Sequence, residues 1–289
     1  MDVRAIVMGL AFSLMWSSAF ATARIIVAAA PPLMALSLRF AISGLIAVGV
    51  ARALGQSWRL SAPQRRSVLI FGICQNALYL GLNFVAMQTV QASLASVIAA
   101  SMPLIVAVLG WGWRGDKVGV LGIFGLLAGF AGVALIMGAR INVGADPLGV
   151  ALCVAGAVAL AVATLAVKSA SGSGNLLMIV GLQMGVGSVA LGVVSAVTET
   201  YAVSWSAGLV AAFLYQLFVP GLLATWIWFT LVGRIGAVKA STFHFLNPFF
   251  GVAVAALLLG ERIGPLDVIG VAIAAAGILA VQLSRTQAA

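Results

Sequence analysis

The chain of 289 residues is 63% hydrophobic and only 7% charged, with a formal net charge of +9 and a mean hydropathy of +1.20. So few charges cannot cover a water-soluble globule of that size, and the chain is read as a multi-spanning membrane protein. Its basic residues stand at the ends of apolar segments and form no continuous stripe, which excludes a nucleic-acid-binding face and leaves membrane orientation as the meaning of the charge.

The apolar runs are about 20 residues long, the length a helix needs to cross a hydrocarbon core of about 30 Å. Strands of a membrane barrel, about 10 residues each, would alternate polar with apolar side chains, and that alternation is absent. Helix one is expected from Ala5 to Ala23. It is longer than the apolar stretch of roughly 7–15 residues in a secretory leader, so it is kept as a helix. Pro31 and Pro32 mark the turn into helix two, Leu33 to Ala51, which carries Arg39 inside it. A basic loop with Arg52, Arg59, Arg65 and Arg66 leads to helix three, Ser67 to Met87, and then to helix four, Ala92 to Trp113. Helix five, Val118 to Gly138, has glycines at 122, 125, 129 and 132, a spacing that lets helix backbones approach closely in lipid. After a link from Arg140 to Asp146 come helices six (Leu148 to Val167), seven (Asn175 to Val197), eight (Ala207 to Val232), nine (Ala237 to Leu259) and ten (Pro265 to Leu283).

The two halves repeat at an offset of 145 positions: Ala92 matches Ala237, Ser96 matches Ser241, Pro103 matches Pro248, and Gly125 and Gly132 match Gly270 and Gly277. The expected units are residues 1–139 and 147–285, joined as one integrated domain. Five helices per unit is an odd number, so the second unit enters the membrane from the opposite side. The fold class is therefore all-α, with ten transmembrane helices as two inverted five-helix repeats. With ten helices, the side holding both termini collects 11 of the 15 basic residues, and the positive-inside bias makes that side cytoplasmic.

Several polar residues lie deep in these helices, where such residues are functional candidates. Pro103 and Pro248 sit halfway along helices four and nine and crowd the carbonyls of Ala99 and His244, so they are expected to kink both helices where a pathway would run. His244 and Asn247 share one face of helix nine; their counterparts are Ala99 and Met102, so the polarity belongs to one half only. Asn76, Tyr79 and Asn83 form a stripe on helix three, and Trp228 is the counterpart of Asn83. Trp16, Trp226 and Trp228 are candidate aromatic lining, whereas Trp58, Trp111, Trp113 and Trp205, near helix ends, suit the membrane interface. Arg39 is read as structural, snorkelling or paired with a helix end. All six acids lie at or near helix ends, which disfavours a carboxylate proton relay and leaves His244 as the group for any proton coupling. Cys74 and Cys153 lie in apolar segments and are read as packing residues. No nucleotide-binding loop, histidine pair for a metal or Gly-x-Ser-x-Gly elbow is present, so neither an enzyme nor a metal or other cofactor is expected.

The doubled unit, Trp16-Ser17-Ser18-Ala19-Phe20 on helix one, and Asn247-Pro248-Phe249 running through Leu259-Gly260-Glu261-Arg262 into a glycine-spaced helix ten resemble the drug/metabolite transporter superfamily over essentially the whole chain. Within it the likeness is to the ten-helix EamA-type exporters of bacterial inner membranes, among them aromatic amino-acid exporters. The first half departs from the pattern, with Asp116 in the place of Glu261 and Trp111-Gly112-Trp113-Arg114 replacing an apolar run, so that end is read as structural. The resemblance implies efflux of amino acids or related metabolites by alternating access, around a cavity bounded by helices one, three, four, six, eight and nine. A monomer in the lipid bilayer acting on a small-molecule substrate is expected, with no nucleic-acid partner. Aromatic and amide side chains without an acid suit an amphipathic zwitterion better than a polycation. Rings are expected to stack on Trp16, Tyr79, Trp226 or Trp228, with the head group held by Asn76, Asn83, His244 and Asn247. A drug, nucleotide-sugar or other metabolite carrier, and a non-transporting receptor or scaffold, remain as alternatives.

Overall fold

The computed structural model describes residues 2–114, 117–141, 146–167, 175–260, 264–284 and 286–287. The motif ends at Asp116 and Glu261, the turn from Ser171 to Gly174, and the basic residues Lys168, Arg262 and Arg285 lie outside them. The described residues form ten helical rods: α1 (Val3–Val27), α2 (Pro32–Ala53), α3 (Ala62–Ala86), α4 in two pieces (Ala92–Ala99 and Met102–Arg114), α5 (Val120–Ile141), α6 (Pro147–Val167), α7 (Leu176–Thr198), α8 (Ala207–Ile235), α9 in three pieces (Ala237–Ser241, Thr242–Leu246 and Asn247–Leu259) and α10 (Pro265–Leu283). A two-residue antiparallel bridge pairs Lys117–Val118 with Thr286–Gln287. Outward-facing apolar side chains such as Leu45 (74% exposed) and Leu257 (85%) would be untenable in water and suit a lipid solvent.

Local chemistry sets the rod ends. The sequence places the start of helix three at Ser67, yet α3 begins at Ala62. Ser61 Oγ accepts from the Gln64 amide, and Gln64 Oε1 accepts from the Ser61 amide at 2.7 Å. This capping box starts the helix through the polar residues Gln64, Arg65 and Arg66, which a hydropathy reading discards. The first turn of α2 is capped from the other half of the chain: Glu199, at the end of α7, accepts from the Leu33 and Met34 amides at 2.7 and 2.8 Å. A carboxylate there satisfies free N–H groups and matches the positive end of the helix dipole.

Loop contacts sort the rod ends into two sides. Arg234 bonds Asp2, the Ser57 amide donates to Asn175, and the Lys117–Gln287 bridge joins the α4–α5 link to the tail. At the other end Thr89 bonds Asp146, Glu199 caps α2, and the Ser204 amide donates to the Ala29 carbonyl. Each contact joins ends that ten successive crossings bring to the same side, with both termini together.

The packing repeats across the halves. Rod α1 lies against α8 and α9, and α6 against α3 and α4; α2 runs along α7, and α5 along α10. Exchanging each rod of one half for its counterpart leaves this pattern unchanged, which is what inverted repeats require. The outer seams show it residue by residue. A Cβ on Gly125 would lie 2.7 Å from the Gly277 carbonyl oxygen, and one on Gly132, the counterpart of Gly277, would lie 2.8 Å from the Ala274 amide nitrogen, beside the Gly270 backbone. In the α2–α7 seam a Cβ on Gly44 would sit 3.0 Å from the Gly181 carbonyl oxygen. At the position related by a 144-residue offset, the Ser37 and Ser188 hydroxyls each donate to the other's backbone carbonyl, at 2.9 and 2.8 Å. Small residues at these points let backbones touch in lipid, where no hydrophobic force draws helices together.

Two departures from regular helix also recur. The backbone is π-helical over Gly72–Leu80 in α3 and over Leu217–Ala224 in α8, segments that begin 145 positions apart. Rod α4 breaks at Ala100 and Ser101, before Pro103, and α9 tightens into a 3-10 stretch over Thr242–Leu246, before Pro248. Pro248 blocks an α-helical bond to the His244 carbonyl, which instead accepts from the Asn247 amide.

Candidate substrate site

Two neighbouring groups of side chains occupy the middle of the bundle. The first is an aromatic box around His244. Phe12 lies stacked between Trp16 (5.3 Å between centroids) and Trp228 (4.7 Å), and the His244 ring meets Phe12, Trp16 and Trp228 edge-on at 5.3, 6.0 and 5.2 Å. The Asn247 side-chain amide donates to His244 Nδ1 at 2.8 Å, while its Oδ1 accepts from the Ser17 hydroxyl at 3.2 Å. That pair of bonds fixes the amide orientation and leaves the ring proton of neutral His244 on Nε2, an atom with no partner. One turn earlier, the Ser13 hydroxyl reaches the Phe243 carbonyl at 2.9 Å. Two serines on α1 thus hold α9 within its 3-10 stretch and immediately after it. His244 and Asn247 are brought together as the sequence suggests, but their polar atoms are largely turned on each other and on α1.

The second group lines a narrow cavity between the halves, bounded by α1, α2, α3 and α8. Trp16 belongs to both groups, since its ring stacks on Tyr79 with 6.1 Å between centroids and 7° between planes. Gln75, Asn76, Tyr79 and Asn83 come from α3, Arg39 and Phe40 from α2, and Gln216, Pro220 and Thr225 from α8. Most of the polar residues on α3 and α8 lie in or beside the π-helical segments. The open space holds only a few water molecules, so this conformation is contracted. No carboxylate lines it among the described residues. Asn76 is tied to α7 through Gln183, whose backbone carbonyl accepts at 3.0 Å and whose side-chain oxygen also accepts. The Asn83 amide donates to the Tyr79 carbonyl at 2.8 Å, which leaves Asn83 Oδ1 free.

The placement differs from the sequence expectation in three respects. Among the described residues, rods α4, α6 and α9 contribute no side chain to the cavity lining, and α2 does. Pro103 is buried but stands apart from that lining. Trp226 faces outward, 42% exposed, because it is two positions from the buried Trp228 and so about 200° around the helix. Phe12, Gln216 and Gln183 were not picked out as members of this centre. Phe12 could have been found four residues before Trp16, on the same helix face, and the two glutamines as isolated amides inside apolar runs. Arg39, read as structural, is 97% buried by its 3% exposure and lines the cavity.

Ten membrane-crossing rods in two inverted units around a buried polar cavity make this a multi-pass membrane carrier. The chain belongs to the EamA-like transporter family, which matches residues 3–138 and 147–283. It is 29% identical to the uncharacterized transporter YvbV of Bacillus subtilis (strain 168) over 250 residues, covering 86% of this chain and 81% of that one. It is 24% identical to the uncharacterized transporter YoaV of the same organism, covering 92% of each chain. A solved crystal structure superposes with a TM-score of 0.76 and 19% identity over 98% of both chains, a likeness of fold.

Proposed function

We propose that the protein exports amino acids with aromatic or other apolar side chains, and related metabolites, across a bacterial inner membrane by alternating access, with both termini in the cytoplasm. The observation that carries this reading is the lining of the cavity between the halves: aromatic rings beside amides and one cation, without a carboxylate among the described residues. An amphipathic zwitterion matches such a lining, and a polycation would find no counter-charge there. The contracted cavity fits an occluded stage of the cycle, with one half rocking against the other to open it. The test is flux of labelled phenylalanine, tryptophan and leucine through the purified protein in liposomes, with spermidine as a negative control. Uptake of the three amino acids without spermidine supports the reading. Flux of none of them refutes it, and competition by a drug or a nucleotide sugar would favour those carriers of the same fold.

A further inference from the structure

We infer that Arg39 is the anion-recognition residue of the cavity, gripping the carboxylate of the cargo while the carbonyl oxygens of Gln75 and Asn83 take its ammonium group; this rests on the amino-acid reading above. Eight buried side-chain atoms among the described residues lack a hydrogen-bond partner, and four of them, Arg39 Nε, Gln75 Oε1, Tyr79 OH and Asn83 Oδ1, belong to residues lining this one cavity. Unpaired polar atoms in a membrane interior are costly, so their convergence marks a place where something polar binds. Their chemistry is sorted as well: a cationic donor on α2, two acceptor oxygens on α3, and a hydroxyl that can do either.

The Arg39 side chain is already oriented for this task. Its Nη1 donates to Gln216 Oε1, and Gln216 is in turn fixed by donating to the Ala19 carbonyl at 2.6 Å and to Thr22 Oγ1 at 2.9 Å. The Phe40 ring lies 4.4 Å from the guanidinium carbon. With Nη1 occupied, Nε is left without a partner, and the edge it shares with Nη2 is the one that forms two parallel bonds to a carboxylate.

The repeat supplies an internal control. The position related to Arg39 by the 144-residue offset of the α2–α7 seam is Gln183, which ties α7 to Asn76 of α3 as Arg39 ties α2 to Gln216 of α8, although Asn76 and Gln216 are not themselves counterparts. A neutral amide makes the interhelical tie in one half, so tying helices together does not call for a charge in the other. No carboxylate of the described residues neutralises Arg39, and a guanidinium does not deprotonate in proteins. The positive charge is surplus to the architecture and available to the cargo.

The test uses thermal shift and liposome flux on the full chain with three probes that share a phenyl group: phenylalanine, 3-phenylpropionate, which lacks the ammonium, and phenethylamine, which lacks the carboxylate. For the parent protein we expect stabilisation by phenylalanine and 3-phenylpropionate and none by phenethylamine. In Arg39→Gln the phenylalanine KM should rise at least 10-fold with kcat less affected, and the preference over phenethylamine should disappear; Arg39→Lys, which keeps the charge but not the fork, should fall between. If phenylalanine is not carried but 3-phenylpropionate binds in an Arg39-dependent manner, the amino-acid reading fails and the anion site stands. Equal response to phenethylamine, an unchanged KM in a folded Arg39→Gln protein, or no response to either carboxylate overturns the assignment. Should Arg39→Gln not fold, the three-probe comparison on the parent and on Arg39→Lys decides alone.

Discussion

Asn247 shows how much one side chain carries at the centre of this bundle. It accepts from Ser17 and donates to His244, so Asn247→Ala leaves a buried hydroxyl and a ring nitrogen without their partner. We expect a loss of about 1–3 kcal/mol, read as a lower melting temperature in detergent, and a smaller loss, about 0.5–1.5 kcal/mol, for Ser17→Ala. At the surface the Arg234 guanidinium holds the Asp2 carboxyl below its ordinary 3.8, chiefly by its hydrogen bond. A depressed carboxyl stabilises the folded state above its unfolded value and loses that contribution as pH falls through the folded one. The melting-temperature difference between the parent and Asp2→Asn should therefore be constant from pH 7 to about 5 and vanish only below 3.8. The stripe of Asn76, Tyr79 and Asn83 was legible because helical spacing puts it on one face. The tie between Arg39 and Gln216 was not, since 177 positions separate them and nothing local announces the contact.

At the scale of elements, the glycines of the outer seams and the prolines of the inner rods do opposite things. Gly125→Val would push a side chain into the Gly277 carbonyl and the Val281 and Ala280 side chains, an overpacking that should cost about 1–3 kcal/mol. Gly49→Ala, in α2 with nothing within 4 Å, should instead raise stability by up to about 1 kcal/mol through helix propensity. Thermal unfolding of both variants checks the opposite signs. Pro103→Ala should let α4 close its break at Ala100 and Ser101, giving a folded protein with slower transport in liposomes. The prolines made the backbone breaks readable in advance. The π-helical segments were not read in advance: Gly72–Leu80 holds no proline to mark it, and Pro220, inside Leu217–Ala224, was a signal left unused.

For the whole molecule, the repeat made the ten-rod count and the inversion legible from residues such as Pro103 and Pro248. The cavity was less so: its walls depend on which rods approach the axis, and a sequence offset says nothing about that. The positive-inside bias leads to a test of orientation in intact cells. In a background with Cys74→Ala and Cys153→Ala, a thiol reagent that does not cross membranes should label Thr200→Cys and leave Ser57→Cys unlabelled until the cells are opened. Labelling of Ser57→Cys in sealed cells would reverse the orientation.

The glycine seam between α5 and α10 also has a bearing on biosynthesis. Its two faces lie about half a chain apart, and α10 leaves the ribosome well after α5. At about 5–20 residues per second the first half waits roughly 7–30 s for its partner, inserted in lipid with the small-residue faces of α2 and α5 uncovered. A nascent chain stalled after α9 thus still leaves the glycine face of α5 uncovered, open to membrane proteases and to pairing with a second unfinished copy, and completion of α10 closes that interval.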